Sequence, residues 1–322
     1  EFLWNELHTC LASEKDALKE GDMVLDAYND VTENLMALYG VRGLKTESEK
    51  FAGAVFSEKI HYIMQNGKCL EGCPFHFDGQ NFAKAYDIKF LDKDGKEQYV
   101  YQNTYAISTR MLGVMFAIHS DEKGLILPPR MAINKVVIIP ILFEDTSERV
   151  ITESRKIKNE LEEYGAFVDE RDNYKPGFKF NEWELKGIPI RIEFGPKDLE
   201  KKQVVLVRRD TGEKEIIKIS DLGKKVKDVL EEIQISLFER SKKTFLSKLQ
   251  DASSIKELKK VIEDKKVGLI PLCKMGDCED KLKAETGGAK ALWIDEKKKV
   301  KGEKCIICAM KAEYFVYAGK SY

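Results

Sequence analysis

A chain of 322 residues is long enough for two or three domains. Hydrophobic residues make up 43% and charged residues 34%, and 54 Lys and Arg stand against 55 Asp and Glu for a formal net charge of −1. That reads as a soluble globular protein with a highly charged surface and no whole-protein basic field, so any nucleic-acid contact must use a local patch.

No apolar run approaches the roughly 20 residues a membrane helix needs, and no signal peptide is visible. The sequence opens at Glu1 inside the aromatic-rich segment Phe2-Leu3-Trp4 and reads as a piece of a longer polypeptide. Seven cysteines in a chain this long do not make a disulfide framework. The expectation is a reducing, cytoplasmic compartment, with a metal at the cysteine cluster near the end.

Taken in chain order, Ser13 is a candidate N-cap with Asp16 three residues later. Val24, Tyr28, Val31, Leu35 and Leu38 then form one face of a long amphipathic helix, which Gly40 and Gly43 end. Residues 51–130 read as antiparallel sheet. Runs at 85–90 and 97–102 flank the hairpin signal Asp92-Lys93-Asp94-Gly95, and a helix is inserted at 108–119. Pro128-Pro129 punctuates the chain. A buried strand follows at 136–142, then a helix with Val150, Ile157, Leu161 and Tyr164 on one side, then strands at 167–170, 188–194 and 203–209. That alternation predicts a small α/β unit with a mixed sheet. A second long helix spans about 225–245. Ser254 caps a shorter one, and 268–272 is a strand entering the cysteine region.

Cys273 and Cys278 have four residues between them, and Cys305 and Cys308 have two. Two tight pairs on two loops can present four sulfurs tetrahedrally, as in zinc sites built from thiolates. Four thiolates leave no open position, so such a Zn2+ site is structural. Cys10, Cys69 and Cys73 show no partner pattern and read as free thiols.

No Walker-type phosphate loop and no dinucleotide fingerprint occurs. A set of polar groups remains on the expected sheet: Glu6, His8, Glu71, His76, Gln80, Asn81 and Ser108-Thr109-Arg110. Taken singly, each is as well explained by a surface ion pair or a core hydrogen bond.

Several segments nevertheless resemble prolyl-tRNA synthetases of class II, in order and along essentially the whole chain. Residues 101–110 (YQNTYAISTR), followed by 124–130 (GLILPPR), look like motif 3 and the run leading out of it. Residues 2–8 (FLWNELH) look like the end of motif 2, and 50–53 (KFAG) and 79–82 (GQNF) resemble segments around the proline pocket. Residues 171–177 and 183–187 resemble the anticodon-binding domain, and the Ser-Tyr ending resembles the archaeal and eukaryotic type.

The resemblance implies a fold of mixed α+β and α/β class. Residues 1–132 would be part of a class II antiparallel-sheet catalytic domain, 133–237 a mixed-sheet α/β anticodon-binding domain, and 238–322 a small zinc-binding α/β domain. It implies ATP-dependent activation of L-proline to prolyl-adenylate and transfer to tRNA(Pro), with ATP and Mg2+ as substrate and a homodimer as the assembly. Arg110 and Glu71 would be catalytic. Glu71, Ser108, Arg110 and Pro74 would meet ATP. His76, Phe51, Trp4, Glu6 and His8 would line the amino-acid pocket, and Tyr322 would fold back toward the active site. Three departures stand out. The motif 2 arginines and motif 1 would lie before Glu1, Glu71 replaces an amide, and Pro74 replaces a threonine and offers neither hydroxyl nor N–H.

Lys175, Lys179, Lys186, Arg191 and Lys197 interleave with Tyr174, Phe178, Phe180 and Trp183, a pattern that suits single-stranded bases but also fits a core with a charged rim. By the resemblance, Glu184, Lys186 and Arg191 fall at anticodon-reading positions. The rival from another class is a non-catalytic RNA-binding or regulatory protein derived from the same scaffold.

Overall fold

The structure, a computed structural model, describes residues 3–322. Phe2, at the head of the expected motif 2 segment, lies outside the described residues. The chain divides into two units, one of Glu1–Glu33, Leu38–Val114 and Lys242–Tyr322, the other of Asn34–Ala37 and Met115–Ser241.

The first strands are β1 (Trp4–Leu11), β2 (Val41–Leu44), β3 (Phe56–Ile63), β4 (Cys69–Gly79), β5 (Lys89–Leu91), β6 (Glu97–Tyr99) and β7 (Tyr101–Ser108). Then come β8 (Val136–Pro140), β9 (Phe167–Val168), β10 (Ile190–Phe194), β11 (Gln203–Arg208) and β12 (Lys214–Lys218). The last are β13 (Leu249–Asp251), β14 (Val267–Leu272), β15 (Lys290–Asp295) and β16 (Tyr314–Gly319). The helices used below are α1 (Glu14–Asp30), α2 (Asn81–Ala85), α3 (Arg110–His119), α4 (Ser147–Glu160) and α5 (Pro176–Lys186), then α6 (Pro196–Lys201) and α7 (Leu222–Ser247).

The first unit is built on a nine-stranded sheet in the order β1-β7-β4-β3-β2-β15-β16-β14-β13. The strands from β1 to β2 are antiparallel throughout, as expected for residues 51–130. One bridge, Ile294 to Leu44, carries the sheet on into the C-terminal strands. Gly43 sits in β2 and does not end a helix. A Cβ there would lie 2.5 Å from Cβ of Trp293, so only glycine lets β15 approach.

Helix α1 starts where expected, with Ser13 Oγ accepting from the Asp16 N–H. Its buried positions are Ala17, Gly21, Leu25 and Tyr28; of the expected stripe, Tyr28 and Leu38 are buried, whereas Val24, Val31 and Leu35 are not. The helix lies against β4 and β7, and the ring of Phe75 occupies the space a Cβ on Gly21 would need. Close approach to a sheet selects the small residues. After Asp30 the helix loosens into a π turn at 31–35, and Leu35 is exposed. Asp92 closes the β5–β6 hairpin by accepting from the backbone of Asp94 and Lys96.

The other unit carries a five-stranded mixed sheet, β12-β11-β10-β8-β9. Strands β9, β8 and β10 run parallel, and β10, β11 and β12 antiparallel. Its central parallel strand β8 is apolar and buried on both faces. Val136, Ile138 and Ile192 pack with Val150, Ile157, Val226 and Ile233, while Val137 and Ile139 pack with Ile188, Phe180 and Trp183. Strand β12 and helix α5 were not expected from the pattern. Pro176 at the first turn of α5 and the left-handed Gly187 at its end are the signals that mark it. No helix among the described residues is long and apolar enough to cross a membrane.

Candidate active site

Two adjoining cavities open on one face of the nine-stranded sheet. The larger, about 540 Å³, is lined by Trp4, Glu6, His8, Phe51, Pro74, His76, Asp78, Phe82, Tyr86, Gln102, Thr104, Tyr105 and Ala106. The smaller, about 130 Å³, is lined by Trp4, Lys59, Glu71, Pro74, Ser108, Arg110 and Met111 among others. Trp4, Pro74 and Ala106 belong to both. The five residues expected around an amino acid thus meet in the larger cavity, and the four expected around ATP meet in the smaller.

Strand periodicity does this gathering. Trp4, Glu6 and His8 alternate along β1, opposite Ser108, Ala106 and Thr104 of β7. Thr104 in turn opposes His76 of β4. Opposed residues share a face, so three strands from distant parts of the chain project into one space.

In the smaller cavity Glu71 is clamped. Its Oε1 accepts from Lys45 Nζ at 2.5 Å and its Oε2 from Lys59 Nζ at 2.6 Å. Lys45 is buried and also donates to the Leu292 carbonyl. Burial alone would raise the Glu71 carboxyl, but the two ammonium groups overcome it and hold the carboxyl down at about 2. Each oxygen thus accepts from one lysine and keeps a second lone pair. Arg110 begins α3, where its N–H donates to Ser108 Oγ at 3.3 Å.

In the larger cavity Ser57 Oγ accepts from the Phe51 N–H and lies 2.7 Å from His76 Nδ1. That contact fixes the ring beside Ser57 and leaves Nε2 as the nitrogen without a partner from Ser57. Burial, helped by Lys59, lowers His76 to about 4 and keeps it neutral. The Phe51 ring lies 4.8 Å from the imidazole. Thr104 Oγ1 donates to Asp78 Oδ2 at 2.9 Å and lies 3.1 Å from His8 Nδ1, while His8 Nε2 is 3.6 Å from Glu6 Oε1. Burial raises the Asp78 carboxyl, against Thr104 and His8. Lys59, Asp78, Gln102 and Thr104 escaped the sequence reading, although each lies two residues along its strand from a position it had named or faced.

The four cysteines named from their spacing come together. Their sulfurs all lie within 4.8 Å of one another, and Cys273 and Cys308 are 3.8 Å apart. A tetrahedron with Zn–S bonds of about 2.3 Å has sulfurs about 3.8 Å apart, so the donor set fits zinc. Burial would raise the Cys305 thiol, but backbone N–H groups around Cys308 and Ile307 bring it down to about 7.

In the second unit the basic and aromatic residues form stacked pairs. Arg191 lies over Phe180 at 4.5 Å and pairs with Glu193 at 2.9 Å, and Lys186 lies over Trp183 at 4.3 Å. Glu184 faces Lys123 at 3.1 Å. Glu184 and Arg191 line one small depression, from which Lys186 is absent. Tyr174 and Phe178 stack at 4.5 Å and remain exposed. Lys179 departs from the expected basic rim. It is buried, donates to the Asp169 carbonyl at 2.9 Å and lies 3.7 Å from the Asp169 carboxylate.

The chain end pairs with the strand that carries Glu71. Lys320 O accepts from the Cys69 N–H, and Tyr322 Oη accepts from Asn66 Nδ2 at 2.8 Å. Tyr322 reaches the start of β4 but lines neither cavity.

Two family models match the chain, Anticodon binding domain over residues 135–229 and Prolyl-tRNA synthetase, C-terminal, over residues 255–322. The chain is 42% identical over 324 residues to proline–tRNA ligase 2 of Bacillus cereus, which covers 100% of this chain and 67% of that protein. It is 43% identical over 289 residues to proline–tRNA ligase of Natranaerobius thermophilus, covering 89% of this chain and 60% of that protein. It is 38% identical over 324 residues to the Clostridium novyi enzyme of the same name, covering 100% and 67%. These relatives are bacterial, so the likeness does not carry the archaeal and eukaryotic subtype expected from the Ser-Tyr ending. With two family models in chain order and relatives at this identity over the whole sequence, the chain belongs to the prolyl-tRNA synthetase family.

Proposed function

We propose that this chain belongs to an enzyme that activates L-proline with ATP and loads it onto tRNA(Pro). The observation that supports this is the pair of adjoining cavities, one lined by rings, imidazoles and carboxylates, the other by Arg110, Lys59 and Ser108. A carboxylate oxygen of proline attacks the α-phosphorus of ATP, and pyrophosphate leaves. The terminal ribose hydroxyl of the tRNA then attacks the prolyl carbonyl carbon, and AMP leaves. No enzyme nucleophile takes part. The protein contributes positioning and cancels phosphate charge.

In this reading Arg110 packs against ATP and Ser108 contacts it, with Pro74 forming the wall between nucleotide and amino acid. Glu71 serves ATP through Lys59. Lys59 would offset phosphate charge, and Glu71 would hold a magnesium ion that accompanies ATP, which would supply further charge cancellation. His76 offers Nε2–H to the amino acid, and Glu6 offers its carboxylate to the amine. Phe51, Trp4 and His8 complete the wall. Glu184, Lys186 and Arg191 read the anticodon, with Arg191 donating to guanine O6 and N7. Zinc held by Cys273, Cys278, Cys305 and Cys308 ties two loops together and has a structural part only.

The division at 132 and 237 into catalytic, anticodon-binding and C-terminal domains, a homodimeric assembly and a cytoplasmic location are carried over from the family resemblance. The archaeal and eukaryotic subtype rests on the Ser321-Tyr322 ending alone. The test is pyrophosphate exchange into ATP by the full-length gene product with proline, alanine and cysteine in parallel. Proline-dependent exchange is expected. A folded protein that binds tRNA but exchanges with none of the three overturns the reading.

A further inference from the structure

Glu71 of the smaller cavity is held by Lys45, and the stretch around Lys45 is gripped by the C-terminal segment of the same unit. Gly43 lies against Trp293, where a Cβ would not fit, and Leu44 pairs with Ile294. Lys45 Nζ donates to the Leu292 carbonyl at 2.8 Å as well as to Glu71. Thr46 Oγ1 donates to Glu279 Oε2 at 2.9 Å, and Lys283 Nζ lies 2.8 Å from Glu49 Oε1. Glu279 and Lys283 stand on the helix Gly276–Glu285. Among the described residues, none beyond Met111 lines either cavity.

Thr46 and Glu279 are each 1% exposed. A buried carboxylate is costly unless donors satisfy it, and a hydrogen bond to a charged group is among the stronger ones. The bond between these two therefore holds firmly, and it lies one residue from Lys45. A lysine carries its ammonium on a flexible four-carbon stem, so its direction is set by what surrounds it. The amino-acid cavity is anchored in another way. The Phe51 N–H is held by Ser57 Oγ, which also contacts His76, and none of the three needs the C-terminal segment for that contact. The C-terminal grip thus falls on the nucleotide side.

We propose that Thr46 and Glu279 are positioning residues for the smaller cavity. Their bond fixes the segment from which Lys45 reaches Glu71, so the C-terminal region sets the geometry of a site to which it contributes no lining side chain. The proposal rests on the reading of this cavity as the ATP site. Without the bond the Lys45 ammonium shifts with its segment. Glu71 then loses one of the two cations that set its place, and Lys59, its other partner, shifts with it. Small displacements of positioning groups are enough to weaken a site that works by orientation and charge cancellation.

The experiment measures KM for ATP and for proline in pyrophosphate exchange by the full-length gene product. Alongside, it follows the rate at which an amine-acetylating reagent modifies Lys45, read by peptide mass spectrometry. Thr46→Val keeps the shape and removes the hydroxyl, and Thr46→Ser keeps the hydroxyl. Thr46→Val should raise KM for ATP about tenfold or more, leave KM for proline within about twofold, and label Lys45 about tenfold faster. Thr46→Ser should restore all three. An unchanged KM for ATP overturns the proposal, and so does an equal rise in both KM values, the mark of a general loss of structure. If Thr46→Val does not fold, Lys283→Met breaks the Glu49 contact at a more exposed position and should give the same pattern at about threefold, with no change overturning the proposal. If the wild type supports no exchange, the activation reading has failed, and the labelling decides the positioning by itself. Faster modification of Lys45 in Thr46→Val upholds it, and an unchanged rate overturns it.

Discussion

Glu71 and His76 lie five residues apart on β4 and face the same side of the sheet. Simple alternation would put them on opposite sides. On β3 their partners are His61 and Ser57, four residues apart and therefore on one face. Between these pairs the register shifts, so that Cys73 and Pro74 together oppose Lys59. This is a β-bulge, which places one extra residue on β4. Cys73 adopts the left-handed φ of 44° that the bulge needs, and Pro74 has no N–H to leave unpaired. The proline that looked like a lost contact in the sequence is part of the device that brings both cavities to one face.

Glu71→Gln should destabilise the protein at neutral pH. It removes the charge opposite Lys45, whose side chain is 1% exposed. The carboxyl sits at about 2 against an ordinary 4.5, which corresponds to about 3 kcal/mol. Because the folded value is the lower one, this contribution is full above pH 4.5 and vanishes as pH falls through about 2. Urea titrations of wild type and variant should differ most near pH 7 and converge in acid. A gap that does not depend on pH would contradict the ion-pair account.

His76→Phe keeps a ring beside Phe51 and removes both ring nitrogens. The kcat/KM for proline in exchange should fall about tenfold to a hundredfold, as for one buried hydrogen bond of about 1–3 kcal/mol. The stability profile gives a second check. His76 is lowered from 6.5 to about 4, so burying it neutral stabilises above pH 6.5 and that stability is lost as pH falls through 4. The variant should lack this acid-side loss.

Metal analysis of the purified full-length protein should find one zinc per chain, bound by Cys273, Cys278, Cys305 and Cys308. Cys305→Ser should lower that ratio toward zero and lower the melting temperature. A chelator should reproduce the shift in wild type and leave the variant unmoved. Full stability with no zinc would mean that the four thiols hold together without an ion.

Arg191→Ala removes the guanidinium over Phe180 and frees Glu193 from one of its partners. Charging of tRNA should weaken by about 1–3 kcal/mol, tenfold to a hundredfold in KM, with a much smaller effect on exchange. Equal losses in both assays would show that the substitution disturbs the fold and not an RNA contact.

Much of the local structure was legible in the chain. Ser13 and Ser254 cap helices, Asp92 to Gly95 turns a hairpin, and the apolar run from Val136 enters the sheet of the second unit. Each signal acts within a few residues, so one sequence suffices to read it. The inward face of α1 was misread because size and hydrophobicity favoured Val24 and Leu35, whereas close packing on Phe75 selected Ala17 and Gly21. Lys179 read as a surface cation because nothing nearby in sequence names Asp169 as its partner.

By itself the sequence determined the family through ordered motifs, the cysteine quartet through its spacing, and the residue types that two cavities would need. The tertiary structure alone decided that Glu71 is held between Lys45 and Lys59, that the chain end lies along β4, and that Asp78 Oδ1 and Gln102 Oε1 are buried with no partner among the described residues. The physical reason is distance along the chain. Propensity and spacing act locally, but strand register, a one-residue bulge and the burial of a charge are settled by segments tens to hundreds of residues apart.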